Sequence, residues 1–437
     1  MLTNIGLLGY GTVGAGVAKI LSLEDALLSQ KVGWPLNLAK AVVRNLDSKR
    51  NFTPPPGLLT TDPSEVVGNP DIQVVVEVMG GIEPARTLIL KALDSGQHVV
   101  TANKALLATH GHEIFEKAAQ ARREVYFEAA VAGAIPIIRT LKEGLAANRI
   151  LSISGILNGT TNYILTSMAQ EGKAYQTALA EAQKLGYAEA DPASDVEGLD
   201  AAHKLILLSA LAYGVLPKLK DIHVEGITEL DPKDFEFAQE FGFVIKLLAI
   251  ATLPPGDGRL EIRIHPAMIP RTHLLAGVSG VLNAVMIRGN ASGDIFLSGA
   301  GAGMLPTASA VVGDIIEIAR STQVSPNLTK PSLGWQSLIN QNLKPPEEIR
   351  TRYYLRFSVY DRPGVLAAIA GRFSVHNISI AQVIQKGPGP TPGSVYLVIL
   401  THLAREKDLR VALDDTTKLQ VLTDSTKLIR LEDFNQY

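Results

Sequence analysis

Between Glu189 and Lys204 the chain reads EADPASDVEGLDAAHK, which places five carboxylates, Glu189, Asp191, Asp195, Glu197 and Asp200, just ahead of a lysine. The apolar spacing of GLDAAHKLILLSALAYG predicts a helix, on which Asp200 and Lys204 stand four residues apart on one face. A lysine in a partly desolvated site gives up a proton more readily, and a carboxylate one turn before it holds the ammonium in place. That is equipment for protonating the oxygen of a carbonyl while a hydride arrives at its carbon. The surplus negative charge of Glu189, Asp191, Asp195 and Glu197 suits a substrate with an α-ammonium group. The plainer reading is a solvated acidic loop with a surface ion pair behind it, worth tenths of a kcal/mol. A calcium loop fits less well, because alternate-ligand spacing, a central glycine and a terminal glutamate are all lacking.

A hydride needs a carrier. Gly9, Gly11 and Gly14 form G-Y-G-T-V-G directly after an apolar strand and at the start of a helix, the context in which such a motif gains weight. The first glycine allows the tight turn, the second lets backbone approach a pyrophosphate, and the third permits close helix–strand packing, with helix N-terminal amides facing the anion. An NAD-preferring site places a carboxylate at the end of the second strand; here stand Arg44, Lys49 and Arg50. A guanidinium favours a 2′-phosphate, so NADP(H) is expected ahead of NAD(H), although exposed basic residues are also common in plain loops. Farther on, TANKALL ends another strand and is expected to point Thr101, Asn103 and Lys104 at the ligand crevice, with Lys104 meeting the nicotinamide end or a substrate carboxylate.

The elements that must hold these groups follow from the pattern. LTNIGLLGY, the helix beginning near Thr12, LNLAKAVVR, DIQVVVEVMG, QHVVTAN and REVYFEA alternate as a doubly wound parallel sheet requires. Ser22–Pro35 reads as a local insertion. From about Gly133 longer helices mix with strands such as RILSISGILN, EIRIHPAMIP and AVMIRGN. The expected class is α/β: a Rossmann-type nucleotide-binding domain over 1–135, completed by a return helix at 307–320, and an inserted α+β catalytic and dimerisation domain over 136–306. A Pro-, Asn- and Ser-rich linker over 321–350 leads to a small separate βαββαβ module over 351–437. The 437 residues carry a net charge of −2, which supplies no field for nucleic acid or anionic membrane, so no such partner is expected. With no cysteine, thiol catalysis is excluded. No targeting segment or membrane-length apolar run is evident, and a cytoplasmic location is the expectation.

LGYGTVG, TANKALL, FEAAVAGAIPIIRTL, GILNGTTNYIL, YAEADPASDVEGLDAAHKL and GAGAGMLPTASAVVGD occur in an order that resembles homoserine dehydrogenase in its longer form, over essentially the whole chain. The resemblance implies interconversion of L-homoserine and L-aspartate 4-semialdehyde, a step towards threonine, methionine and isoleucine. It implies Lys204 as proton donor, Asp200 as its partner, and Glu189 and Asp195 as substrate-binding positions. Lys104 would lie near cofactor and substrate, with Thr12, Val13, Arg44 and Gly303 at cofactor contacts. It also implies a monovalent cation, sodium, held by the Glu128 carboxylate and the backbone carbonyls of Val131, Gly133 and Ile135. The residues alone read that loop as an apolar strand-to-helix turn.

YYLRFSVYDRPGVLAAIAGRFSVHNISIAQVIQ resembles an ACT domain, with Asp361 to Gly364 turning into a helix and Asn377 in the turn before the next strand. Such modules pair edge to edge and bind amino acids, so feedback control by threonine and a homodimer or homotetramer are implied. The thioester-forming enzyme that uses the same semialdehyde needs a cysteine and is excluded. Prephenate dehydrogenases share the domain types but not the Glu189–Lys204 constellation. A sensor that binds NADP and an amino acid without turnover would not need the Asp200/Lys204 pair. An aspartokinase fusion is not expected, because the first strand begins at once.

Overall fold

The computed structural model describes residues 2–254, 256–324, 331–335, 337–339 and 342–434, so residues 325–330, 336, 340 and 341 of the expected linker 321–350 lie outside the described residues. The chain divides into two compact units. The first joins Met1–Gly159, Leu199–Lys220 and Val281–Gln341, and the second joins Thr160–Gly198, Asp221–Gly280 and Asn342–Tyr437.

The first unit is built on six parallel strands: β1 (Thr3–Leu8), β2 (Leu36–Val42), β3 (Leu59–Thr60), β4 (Val74–Glu77), β5 (His98–Thr101) and β6 (Val125–Tyr126), in the order β3-β2-β1-β4-β5-β6. The central strands are continuous apolar runs because helices cover both faces; Val74, Val75 and Val76 of β4 are fully buried. Their order is that of a dinucleotide-binding sheet, with its crevice at the strand C-termini between β1 and β4. The crossovers use α1 (Thr12–Leu23), α2 (Asp25–Val32), α3 (Ala85–Asp94) and α4 (Lys104–Ala121). The stretch read as an insertion is thus largely α2, which buries Leu28 and Val32 and ends at Gly33 in the left-handed conformation.

The long helix Met304–Val324 comes back onto this sheet, and its Ala308, Val311, Val312 and Ile315 join Ile5, Val17, Val74 and Val76 in one core. Gly16 of α1 makes the approach possible: a Cβ there would stand 2.8 Å from the Met304 carbonyl oxygen and 2.9 Å from Ala308 Cβ. A second sheet in the same unit pairs strand Ile150–Ile156 with Leu282–Gly289, which forms a hairpin with Gly293–Ala300.

In the second unit, strand Phe243–Thr252 pairs with Glu261–Pro270, and the C-terminal module forms βαββαβ around strands Arg350–Tyr360, Ile380–Pro388, Ser394–Thr401 and Lys427–Leu431. The expected separate module does not stand apart. Lys427–Leu431 pairs in parallel with Glu261–Pro270, through Ala267 with Arg430 and Met268 with Leu431, so one sheet runs through both. Asp234, at the first turn of helix Pro232–Glu240, adds a buried lock by accepting from Arg356 and from the Tyr354 hydroxyl. Asn377 at φ 55° and Gly364 at φ 89° make the expected turns. Among the described residues no helix is long and apolar enough to cross a membrane.

Candidate active site

The candidate reacting groups are set on helix Leu199–Tyr213, whose run LILLSALAY is buried and fixes its rotation. Asp200 and Lys204 face each other as their spacing predicts. Lys204 Nζ lies 2.7 Å from Asp200 Oδ2 and donates to the Leu157 carbonyl at 2.6 Å. Their side chains are only 8% and 10% exposed, which removes the surface ion-pair reading. Asn158 Nδ2 donates to Asp200 Oδ2 at 2.8 Å, and Lys104 Nζ, from the first turn of α4, lies 3.1 Å from Oδ1. Burial would raise the Asp200 pKa, but the Lys204 and Lys104 charges outweigh it and hold the carboxyl well below the usual range. One carboxylate thus serves two lysines.

Two backbone features complete this corner. The Leu157 carbonyl, just past strand Ile150–Ile156, also accepts from Asn283 Nδ2 at 3.0 Å. Asn283 Oδ1 is buried without a hydrogen-bond partner among the described residues, and Gly301 packs so tightly on this side chain that a Cβ would stand 2.2 Å from Asn283 Cγ. Asn283 and Leu157 were not found by reading the sequence. A carbonyl carries no residue-type signal, and Asn283 sits in an ordinary strand pattern.

The fingerprint has the expected form. Gly9 adopts φ 109°, and a Cβ on it would stand 2.9 Å from the Val78 carbonyl oxygen; one on Gly14 would stand 2.2 Å from the Gly9 carbonyl oxygen. Gly11 begins α1 without a side-chain cap, leaving first-turn amides at Thr12, Val13 and Gly14 for an anion. Thr12 is exposed and Val13 half-buried. Gly303, at φ 124°, precedes helix Met304–Val324 and is also exposed. Arg44 follows β2 as an exposed side chain with no hydrogen bond or ion pair among the described residues. Arg50 instead donates to the Asn45 carbonyl and lies over the Tyr10 ring.

Thr101 differs from expectation. Its side chain is fully buried and donates to Glu77 Oε2 at 2.6 Å, rather than facing the crevice. Glu77 Oε1 in turn accepts from the Met79 and Gly80 amides at 3.0 and 3.1 Å, so this buried carboxylate shapes the loop after β4. Burial raises the Glu77 pKa against these hydrogen bonds. Asn103 caps α4 through the Leu106 amide and donates to the Gly81 carbonyl, which places Lys104 at the helix start. The only sequence sign of Glu77 was a lone acid closing VVVE.

The loop proposed for a cation is tightly built. Glu128 Oε1 and Oε2 accept from the Ile138 and Arg139 amides at 2.8 and 2.9 Å, and the Glu128 amide donates to Asp314 Oδ2 at 2.9 Å. Ala132 and Gly133 both have φ 55°, and a Cβ on Gly133 would stand 2.6 Å from Gly301. The buried pair Glu128 and Asp314 holds two acids beside one guanidinium, Arg139, 3.4 Å from Asp314. Burial and the Glu128 charge push Asp314 up to about 8. A monovalent cation suits this excess of acid, and oxygen donors are the right type for it. The Ile135 carbonyl already accepts from the Ile137 amide at 2.7 Å.

Glu189 and Asp195 belong to the second unit. Glu189 is exposed, with its carbonyl accepting from Gln183 Nε2, and Asp195 is half-buried on the short helix Ala193–Val196.

Comparison with known proteins gives one family. Residues 9–128 match the model described as homoserine dehydrogenase, NAD binding domain; residues 136–316 match homoserine dehydrogenase; and residues 353–420 match the ACT domain. A homoserine dehydrogenase of Neisseria gonorrhoeae is 44% identical over 434 residues, 99% of each chain. The crystal structure of a homoserine dehydrogenase from Thiobacillus denitrificans superposes with a TM-score of 0.94 at 44% identity, again over 99% of each chain. A hyperthermophilic archaeal homoserine dehydrogenase mutant in complex with NADPH aligns with 75% of this chain and 100% of its own, with a TM-score of 0.62 at 29% identity.

Proposed function

Because the chain belongs to the homoserine dehydrogenase family, we propose that Lys204 is the proton donor of its reaction and Asp200 the carboxylate that holds it. The activity is the NAD(P)-linked interconversion of L-homoserine and L-aspartate 4-semialdehyde, with an ACT domain on the same chain. The observation that carries the residue roles is the cluster in which buried Asp200 lies 2.7 Å from buried Lys204 and 3.1 Å from the part-exposed Lys104. When bound, the nicotinamide supplies the hydride for reduction and takes it back in oxidation. Lys204 Nζ gives its proton to the aldehyde oxygen, and in reverse neutral Lys204 accepts the hydroxyl proton. Asp200 and the Leu157 carbonyl fix the position of Nζ. With both lysines protonated the trio carries one excess positive charge, which favours the developing alkoxide. Lys204→Ala should therefore lower kcat while NADPH binding persists; a near-wild-type rate removes lysine from the mechanism.

The remaining assignments belong to the same proposal. The acidic loop with Glu189 and Asp195 takes the substrate ammonium, and Lys104 its polar end. The glycines, Thr12, Val13 and Gly303 surround the cofactor, with Arg44 selecting the 2′-phosphate; the NADPH complex of the archaeal relative supports NADP(H). Glu128, with the carbonyls of Val131, Gly133 and Ile135, holds a sodium ion, supported by the excess of buried acid. Functionally the chain divides into 1–135 with 307–320, 136–306, the linker 321–350 and the ACT domain 351–437. Threonine binding to that domain inhibits a homodimer or homotetramer in the cytoplasm. Activity and melting temperature that stay flat across a wide threonine range would reject the effector.

A further inference from the structure

The second unit contains a buried ion network that the reaction does not use. Arg430, on strand Lys427–Leu431, has a side chain 1% exposed. Its Nε and Nη2 donate to the Glu406 carboxylate at 3.1 and 2.7 Å, while Nη1 donates to Glu225 Oε2 at 2.8 Å. Glu406 opens the ACT helix Glu406–Thr417, and its Oε2 also accepts from the Tyr353 hydroxyl at 2.8 Å. One guanidinium therefore grips an ACT helix with one edge and Glu225 with the other.

What Glu225 carries gives this grip a purpose. It follows the short strand His223–Val224, and its amide donates to the Ile264 carbonyl at 2.8 Å. The next two residues bear directly on the acidic loop. The Ile227 amide donates to the Val196 carbonyl at 2.9 Å. Gly226 has no room for a side chain, because a Cβ would stand 2.3 Å from the Val196 carbonyl oxygen and 2.7 Å from Glu197 Cα. From the loop side, a Cβ on Gly198 would stand 3.2 Å from Val224 Cγ1 and 3.3 Å from Ile264 Cγ2, and the Gly198 amide closes the turn onto the Asp195 carbonyl at 3.0 Å. The Asp195–Gly198 turn thus rests on residues 224–227, and the charged anchor of that segment is Glu225, tied to Arg430 and, at 3.3 Å, to His223.

We infer that Glu225, gripped by Arg430, is a positioning residue that sets the Asp195–Gly198 turn for the amino-acid substrate, and that Arg430 carries the state of the ACT helix to that turn through Glu406. The inference rests on the proposed substrate role of the acidic loop. It joins two segments that lie far apart in sequence through a two-sided contact, buried on the Glu406 side and part-buried on the Glu225 side.

The test is steady-state kinetics of the full chain in Glu225→Ala, Glu225→Gln and Glu406→Gln, with Asp195→Asn alongside. Glu225 is 39% exposed at its side chain, and its loss leaves Arg430 bonded to Glu406, so the variant is expected to fold. KM for homoserine should rise about tenfold in Glu225→Ala, with KM for NADP⁺ and the melting temperature nearly unchanged, and Glu225→Gln should recover part of the loss. Glu406→Gln should raise the same KM. An unchanged homoserine KM in Glu225→Ala, beside a raised one in Asp195→Asn, overturns the inference alone. If Asp195→Asn itself leaves that KM unchanged, the substrate assignment of the loop fails and the inference with it. A parallel change in both KM values together with a lower melting temperature would reduce Glu225 to a structural role. A normal KM in Glu406→Gln overturns the link to the ACT helix.

Discussion

At Asp200 one carboxylate faces two ammonium groups, whereas at Arg356 one guanidinium faces two carboxylates, Asp234 through bonds of 2.6 and 3.1 Å with a tyrosine hydroxyl added at 2.9 Å, and Asp231 at 3.8 Å. Both clusters are centred on buried ion pairs, Asp200 with Lys204 and Asp234 with Arg356, and each sits within its own unit. The first is left with an excess of positive charge, carried by two lysine ammonium groups. The second has carboxylate in excess, and its cation keeps its proton at any working pH. Burial and ion pairing alone therefore do not mark a reacting site. What sets the first cluster apart is a carboxylate outnumbered by ammonium groups.

The strongest way to break this contrast is Lys204→Arg, which keeps the charge and removes the proton exchange. We expect kcat to fall by about 10²–10⁴-fold, the usual range for losing a general acid, with the melting temperature little changed. Retained activity in steady-state assays would make the cluster a fixed field rather than a proton source. The opposite experiment is Arg356→Met, which leaves Asp234 buried beside Tyr354. Breaking such a pair costs about 3–5 kcal/mol. Chemical denaturation should show that loss, while kcat per folded molecule at low temperature stays near wild type.

A third pair, Glu128 and Asp314, takes the contrast to the other extreme, with acid in excess of cation. Burial and the Glu128 charge raise the folded-state Asp314 pKa to about 8, from an ordinary value of 3.8. Between those values the folded chain keeps a proton that the unfolded chain has lost. Stability from this group is complete below the lower value and falls as pH rises towards the upper one, by about 1.4 kcal/mol per pH unit across the window. Asp314→Asn preserves an acceptor for the Glu128 amide and removes the titration. Its melting temperature relative to wild type should therefore rise from pH 5 to pH 8, and added sodium should flatten the wild-type slope. Parallel pH profiles for the two proteins would show that Asp314 does not titrate in this window.

How much of this was legible beforehand depended on whether a signal was local. The Asp200/Lys204 pair is a four-residue spacing on a buried helix, and Gly9, Gly11 and Gly14 are read from a strand–turn–helix context, so both are visible in a few letters. Lys104 meets Asp200 across nearly a hundred residues, and no local pattern announces it. The Leu157 carbonyl is invisible in principle, because every residue has one. Thr101 was misread for a related reason: its place at a strand end suggested the crevice, but Glu77 on the neighbouring strand captures its hydroxyl. The C-terminal module was recognisable by its own rhythm. Its edge pairing with Glu261–Pro270 was not, since edge strands look alike whether or not another strand covers them.

Arg44 supplies the smallest test, a cation that is neither buried nor paired. It is exposed at the end of β2, with no partner among the described residues, so it contributes little to folding and is available to a ligand phosphate. Arg44→Ala should raise KM for NADP⁺ about tenfold, the effect of losing one charge-assisted phosphate contact, and leave KM for NAD⁺ unchanged. Because the group is solvated, the difference between the two cofactors should shrink as ionic strength rises and the Debye length shortens. At Asp200 and Lys204 burial limits such screening, so salt should change the chemical step much less than it changes cofactor choice. Equal losses with both cofactors would assign Arg44 to the shape of the loop after β2. A salt-independent preference for NADP⁺ in the wild type would place the selecting charge on a less exposed residue.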